Sequence, residues 1–229
     1  MTMPVAFRTV SPVENPCTRL LRPRPALPPG LRAGLCGATL FACAVGAAAV
    51  PLDVKVLDTQ GQPLADAVVS VDVKGARATA VPGTMAEMGQ RNRVFVPLVL
   101  AVQTGTAVSF PNFDTVRHHV YSFSSIKSFE IKLYAGVPHA PVVFDKPGTA
   151  VLGCNIHDRM AGYIHVVGTP YFAKSDASGH ATIDIPAGDH TLRTWHWRMS
   201  DSLPSHDQAL HVGAGAANAE VRLGVSSGS

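Results

Sequence analysis

Cysteine, histidine and methionine stand at Cys-x-x-His-x-x-Met spacing in the run Cys154-Asn155-Ile156-His157-Asp158-Arg159-Met160. One short loop therefore offers a thiolate, an imidazole and a thioether. A second imidazole lies upstream, in the pair His118-His119. Two imidazoles, one thiolate and a weak thioether form a donor set that suits a copper ion cycling between two oxidation states with little rearrangement. Zinc is the rival reading, with Cys154, His118 and His157 joined by Asp158 as fourth ligand. Met160 and the β context described below speak against it.

The chain that must position these donors has 229 residues, 15% of them charged and 46% apolar, with 20 Gly and 18 Pro. Low charge, many turn-formers and frequent Val and Thr indicate an all-β protein. The first fifty residues differ from the rest. Arg19, Arg22, Arg24 and Arg32 make a basic, proline-rich lead, and the 17 residues Gly34–Val50 are apolar and free of charge, with Ala47-Ala48-Ala49 inside them. This pattern predicts a secretory signal peptide over 1–49, cut after Ala49. A retained membrane anchor is the alternative, although the run is at the lower edge of a bilayer span. A lipoprotein cut at Cys43 fits less well, because Phe41 is a poor match and no polar linker follows.

Removing the leader takes away five Arg and one Glu, leaving 14 basic and 15 acidic side chains. The basic character of the whole chain thus belongs to the leader and gives no reason to expect a nucleic-acid partner. Cys17, Cys36 and Cys43 leave as well, so Cys154 is the single mature cysteine. An exported protein with one thiol must bury it, pair it between chains or bind it to metal. The neighbours His157 and Met160 favour metal.

Alternation predicts strands at 52–58 and 67–74, joined as a hairpin around Gly61-Gln62-Pro63. Residues 75–92 read as a connection with a short helix near 85–90. Strands follow at 94–102, 107–110, 118–123, 127–133 and 141–144, and strands flank the Cys154 loop at 150–153 and 163–167. Residues 171–174, 181–185 and 191–197 read as a three-strand meander. Neither the first hairpin nor this meander is large enough to hold a core alone. Residues 200–229, rich in Gly, Ala and Ser, read as a flexible tail.

Two resemblances organise these pieces. Gly61-Gln62-Pro63-Leu64-Ala65-Asp66-Ala67, Asp176-Ala177-Ser178-Gly179 and Ile185-Pro186-Ala187-Gly188 resemble a carboxypeptidase-regulatory-like sandwich. They imply a small split sandwich of residues 51–80 and 169–199. Residues 85–168 between its halves resemble a cupredoxin. Cys154-x-x-His157-x-x-Met160 has the spacing of the amicyanin loop and is close to that of plastocyanin. Gly105-x-x-Val108-x-Phe110-x-Asn112-x-Asp114 followed by His118-His119-Val120 resembles the run carrying the family's first ligand.

Through Tyr171-Phe172-Ala173 and Trp195-His196 the likeness extends to cupredoxin-like proteins labelled methylamine-utilisation proteins. It implies an all-β Greek-key sandwich holding one type 1 copper ion on His118, Cys154, His157 and Met160. The family has Asn where this chain has His119. That leaves His119 as the alternative to His118, since adjacent strand residues face opposite ways. The missing Asn also implies a weaker hydrogen bond orienting the ligand loop.

Other residues read as structural. Tyr163 and His165 are expected on the surface, Trp195 and Trp197 in the small core with His196 opposite, and Met85 and Met88 in packing or a loop. His180, His190, His206 and His211 are expected in turns or tail. No further histidine cluster, Ser/His/Asp arrangement or phosphate-binding glycine loop suggests an enzyme. The expectation is a periplasmic electron carrier with a redox partner protein and no membrane association after cleavage. A copper carrier or storage protein, and a β-sandwich binding module with a vestigial metal site, are the alternatives.

Overall fold

A computed structural model describes residues 49–200 and 205–225, and among them are seventeen strands and no helix. The chain begins with β1 (Ala49–Leu57), β2 (Val68–Asp72), β3 (Met85–Glu87), β4 (Gly89–Arg91), β5 (Val94–Val96) and β6 (Val99–Gln103). It continues through β7 (Thr106–Ser109), β8 (His118–Ser124), β9 (Lys127–Tyr134), β10 (Val142–Phe144), β11 (Gly148–Cys154) and β12 (Ala161–Val167). It closes with β13 (Phe172–Lys174), β14 (His180–Pro186), β15 (Gly188–Trp195), β16 (His206–Val212) and β17 (Ala217–Arg222). The all-β expectation holds. The predicted leader lies outside the described residues as far as residue 48, and Ala49 opens β1 opposite Pro186.

Strands from both ends of the chain build one core. Sheet β14-β1-β17 faces sheet β13-β2-β15-β16, with Leu52, Val54, Val56, Val69, Val71, Ile183, Ile185 and Leu192 buried between them. The predicted hairpin of the first two strands does not form, because β1 and β2 lie in opposite sheets. The meander fails for the same reason, since β14 leaves the sheet that holds β13 and β15. A hairpin leaves one apolar face open to water, whereas crossing between layers sets the two apolar faces against each other.

Within the expected tail 200–229, the described residues 205–225 carry two strands. β16 extends the second sheet beside β15 and β17 runs parallel to β1, burying Leu210, Val212, Val221, Leu223 and Val225. Their period-2 spacing is a strand signal, masked by the surrounding Gly and Ala.

Residues 88–166 build the second core. The five-stranded sheet β6-β12-β11-β8-β9 packs on β10-β7-β3, and Val108, Phe110, Val120, Phe144, Leu152, Cys154, Met160 and Ile164 are buried there. The helix expected near 85–90 is replaced by β3 and β4. Met85 pairs with Ala107 of β7, and Met88 is buried in the core.

The two cores share a seam. Val68 and Trp195 from the first pack on Val99 and Val167 from the second, with Tyr163, Phe172 and Trp197 at its margin. Trp195 thus lies outside the small core, and Tyr163 and His165 are not free surface residues. The His165 ring stacks on Trp195 at 4.3 Å and Tyr163 stacks on Trp197 at 5.5 Å. His196 is buried too, and its Nε2 meets the carbonyl of Ala65 at 3.2 Å.

Burial pushes both seam imidazoles down to about 4. For His196 the Ala65 carbonyl and Asp66 oppose the shift and Arg198 adds to it. An unfolded imidazole titrates near 6.5, so as the pH falls the unfolded chain takes up these protons first. The seam's stability is therefore complete above about pH 6.5 and declines toward pH 4, by roughly 3 kcal/mol at the limit for His165 and by less for His196, whose shift solvent screening reduces. Urea midpoints measured at pH 7.5 and pH 5 should fall between the two conditions. His165→Phe, which keeps the stack on Trp195, should remove a large part of that fall. An unchanged pH dependence in the variant would show that His165 is not the titrating group.

Candidate metal centre

Cys154 closes β11, and its main chain lies opposite Val120 of β8. Alternation along β8 then decides which histidine faces the thiol. His118, Val120 and Ser122 are fully buried, while His119, Tyr121 and Phe123 point the other way. The register against β9 does slip between His118 and Val120, but the extra residue is on β9 and β8 keeps its alternation. His119 sends Nε2 to Glu130 at 2.9 Å, away from the core.

The loop after Cys154 is tightened by the Met160 N–H, which donates to the His157 carbonyl at 2.9 Å. His157 is thereby turned back over Cys154. Nδ1 of His118 and Nδ1 of His157 each lie 3.9 Å from Sγ of Cys154, and the two rings are 5.0 Å apart. The three donor atoms fall within 4.8 Å of one another.

A separation of 3.9 Å is long for a hydrogen bond to sulfur and matches donors that share an ion. Bonds of about 2.3 Å to sulfur and 2.0 Å to nitrogen, meeting at a trigonal angle, leave those atoms about 3.7 Å apart. The residues therefore fit a metal. Met160 (2% exposed) lies in the same apolar core as Cys154 (5%), whereas Asp158, the fourth ligand of the zinc reading, is exposed and outside the cluster. Cys154 is a free, buried cysteine.

Residues that precede His118 in the chain support it from behind. Nε2 of His118 is 2.7 Å from Oδ2 of Asp114. Asp114 in turn accepts the N–H groups of Asn92 at 2.6 Å and Arg93 at 2.9 Å. Burial would raise this carboxyl, but the Arg93 N–H, the His118 ring and the Asn92 N–H outweigh it and hold it below the ordinary carboxylate value.

Asn112 ties the loop before His118 together. Its amide donates to the carbonyls of Val116 (2.9 Å) and Tyr134 (3.0 Å), and its Oδ1 accepts the Asp114 N–H at 2.9 Å. The Tyr134 hydroxyl donates to the Phe110 carbonyl at 2.6 Å. Its phenol is pushed up to about 12, chiefly by burial, with the Gln90 amide opposing the shift and Cys154 adding a smaller rise. Asn112 and Asp114 were visible as a short polar run before His118, but nothing local marks them as its support.

The expected loss of an orienting hydrogen bond at His119 does not occur. The Asn155 amide donates to Nδ1 of His119 at 3.3 Å, so this imidazole holds the ligand loop from outside. The other histidines stand apart from the centre. His180 pairs with Asp53, His190 bonds the Pro186 carbonyl, and His206 and His211 are exposed on β16.

No family model matches the chain, and no curated protein is similar to it. Among solved structures, amicyanin from Paracoccus versutus is 17% identical, covers 42% of this chain and 97% of its own, and has a TM-score of 0.31. A purple cupredoxin from Nitrosopumilus maritimus is 22% identical, covering 36% of this chain and 98% of its own with a TM-score of 0.32. A Cu-containing nitrite reductase from Thermus scotoductus is 24% identical, covering 48% and 28% with a TM-score of 0.35. The donor chemistry of the centre stands independently of these likenesses.

Asn112→Ala removes three part-buried side-chain hydrogen bonds, which should destabilise the chain by about 1.5–3 kcal/mol. Denaturant unfolding of the metal-free protein measures this. A change below about 0.5 kcal/mol, the range of ordinary surface substitutions, would show that Asn112 does not hold the loop.

Proposed function

We propose that the chain is an exported type 1 copper protein that passes single electrons between periplasmic partners. The observation that carries this is the convergence of Nδ1 of His118, Nδ1 of His157 and Sγ of Cys154 at the core that also buries Met160. Copper, when bound, supplies a one-electron couple. His118, Cys154 and His157 would hold it, with Met160 as the weak fourth donor. All four side chains come from β8 and one short loop braced by two strands, so both oxidation states meet one preorganised donor set.

His118 is sealed inside the core, while His157 is only half-buried and is the proposed route for electrons. With four protein donors no open position is left for a substrate, which favours electron transfer over catalysis. Residues 85–168 are proposed as a cupredoxin domain. Residues 51–80 and 169–199, completed by β16 and β17, are proposed as a carboxypeptidase-regulatory-like positioning module, and methylamine utilisation as the pathway. Signal cleavage after Ala49 belongs to the same proposal.

Loading the protein with Cu(II) and recording visible and EPR spectra tests this reading. An intense thiolate-to-copper band is expected, lost in Cys154→Ala and in His118→Ala and retained in His119→Ala. No band in the unaltered chain would overturn the proposal and leave a binding module with a vestigial site. A band without reversible reduction would favour a copper carrier or storage protein.

A further inference from the structure

We infer that Asp114 decides which ring nitrogen of His118 is presented to Cys154, and that the turn Asn92–Arg93 is the clamp that holds Asp114 in place; this rests on the copper reading above. A ligating imidazole must keep its lone pair on the metal side, and the partner of the other nitrogen selects that tautomer. Nδ1 of His118 faces Sγ of Cys154, and Nε2 lies 2.7 Å from Oδ2 of Asp114. An ionised carboxylate only accepts hydrogen bonds. The ring proton is therefore held on Nε2 and the lone pair on Nδ1.

The carboxylate is itself gripped from the opposite side. Asn92 and Arg93, the two residues between β4 and β5, both have left-handed backbones, with φ of 55° and 61°. That conformation makes a tight two-residue hairpin loop. It aims consecutive N–H groups at one acceptor, the arrangement of a small anion-binding concavity. Oδ1 receives the Asn92 N–H and Oδ2 the Arg93 N–H. Arginine is an unfavourable residue for such a backbone, and it sits where the turn closes on the carboxylate.

The hairpin is anchored at its other end too. Phe95 of β5 packs directly on Gly162 of β12, where an added Cβ would stand 2.8 Å from Cβ of Phe95. Gly162 lies two residues beyond Met160. One small hairpin thus joins the strand leaving the ligand loop to the group behind His118. Phe113, beside Asp114, closes on Gly89 of β4 and carries the Arg91 guanidinium over its ring at 4.8 Å. The negative charge of Asp114, passed through the imidazole, favours the more positive oxidation state of a bound ion.

Three measurements on the full chain test this. In the metal-free protein, long-range ¹H–¹⁵N spectra should show His118 protonated on Nε2, and Asp114→Ala should shift it toward a mixture of tautomers. Cu(II) affinity should fall ten- to hundred-fold in Asp114→Ala. The isosteric Asp114→Asn, which keeps an oxygen acceptor and loses the charge, should weaken Cu(II) about tenfold relative to Cu(I), a rise in potential of about 59 mV. A purely structural role would weaken both oxidation states together and leave the potential in place.

An unchanged tautomer in Asp114→Ala, or an unchanged potential in Asp114→Asn, overturns the inference. Failure of the unaltered chain to bind Cu(II) would instead sink the copper reading and leave the tautomer result to stand.

Discussion

A fully buried imidazole must have both ring nitrogens satisfied, and most of the second core is arranged around meeting that demand for His118. Water cannot reach the ring, so a nitrogen without a partner would cost free energy comparable to a lost hydrogen bond. One nitrogen faces the thiol and the half-buried His157. The other faces Asp114, whose own carboxylate must then be satisfied by the amides of a hairpin turn. Asn112 holds the loop between them in the one conformation that allows this. Each polar group buried here calls for the next, and the chain of partners ends only at solvent.

The same logic explains the division of labour on β8. His118 and His119 are chemically identical neighbours, yet one is enclosed and the other reaches Glu130 and Asn155 on the outer side. The pleat alone separates them. His119 braces the ligand loop from outside while His118 enters the cluster, so the pair clasps Cys154 between its two contacts. Asn155 and His157, on either side of Ile156, receive these two directions of support.

Outside the centre, the chain solves the burial of two small apolar surfaces by stacking sheets. Val68 and Val69 are adjacent on β2, and each is buried in a different place, one in the seam and one in the first core. The sheet that carries them is covered on both faces. Aromatic and imidazole rings close the seam, where Trp195 and His165 stack nearly parallel, 11° apart. Neutral imidazole suits this position because it is flat and loses little on leaving water while unprotonated.

Much of this was legible before any tertiary information. The donor types, the Cys-x-x-His-x-x-Met spacing and the alternation of 118–123 and 150–153 are local properties, set by side-chain chemistry and the period-2 pleat. They determine an all-β chain and a loop able to present three donors. Strand partners were not legible. The first two strands look like a hairpin because a turn separates them, but burial of both apolar faces sends them to opposite sheets.

The last strands were hidden because small residues dilute their pattern, and β17 is recruited by β1, far away in sequence. The tertiary structure likewise decided the surroundings of His118. Pairing of Cys154 with Val120 turns one imidazole inward, and Asp114 with the Asn92–Arg93 turn reaches it only once β4, β5 and β8 are brought together. Sequence carries chemistry and periodicity through near neighbours. Which distant groups meet is settled by the burial of whole faces, a property of the assembled layers.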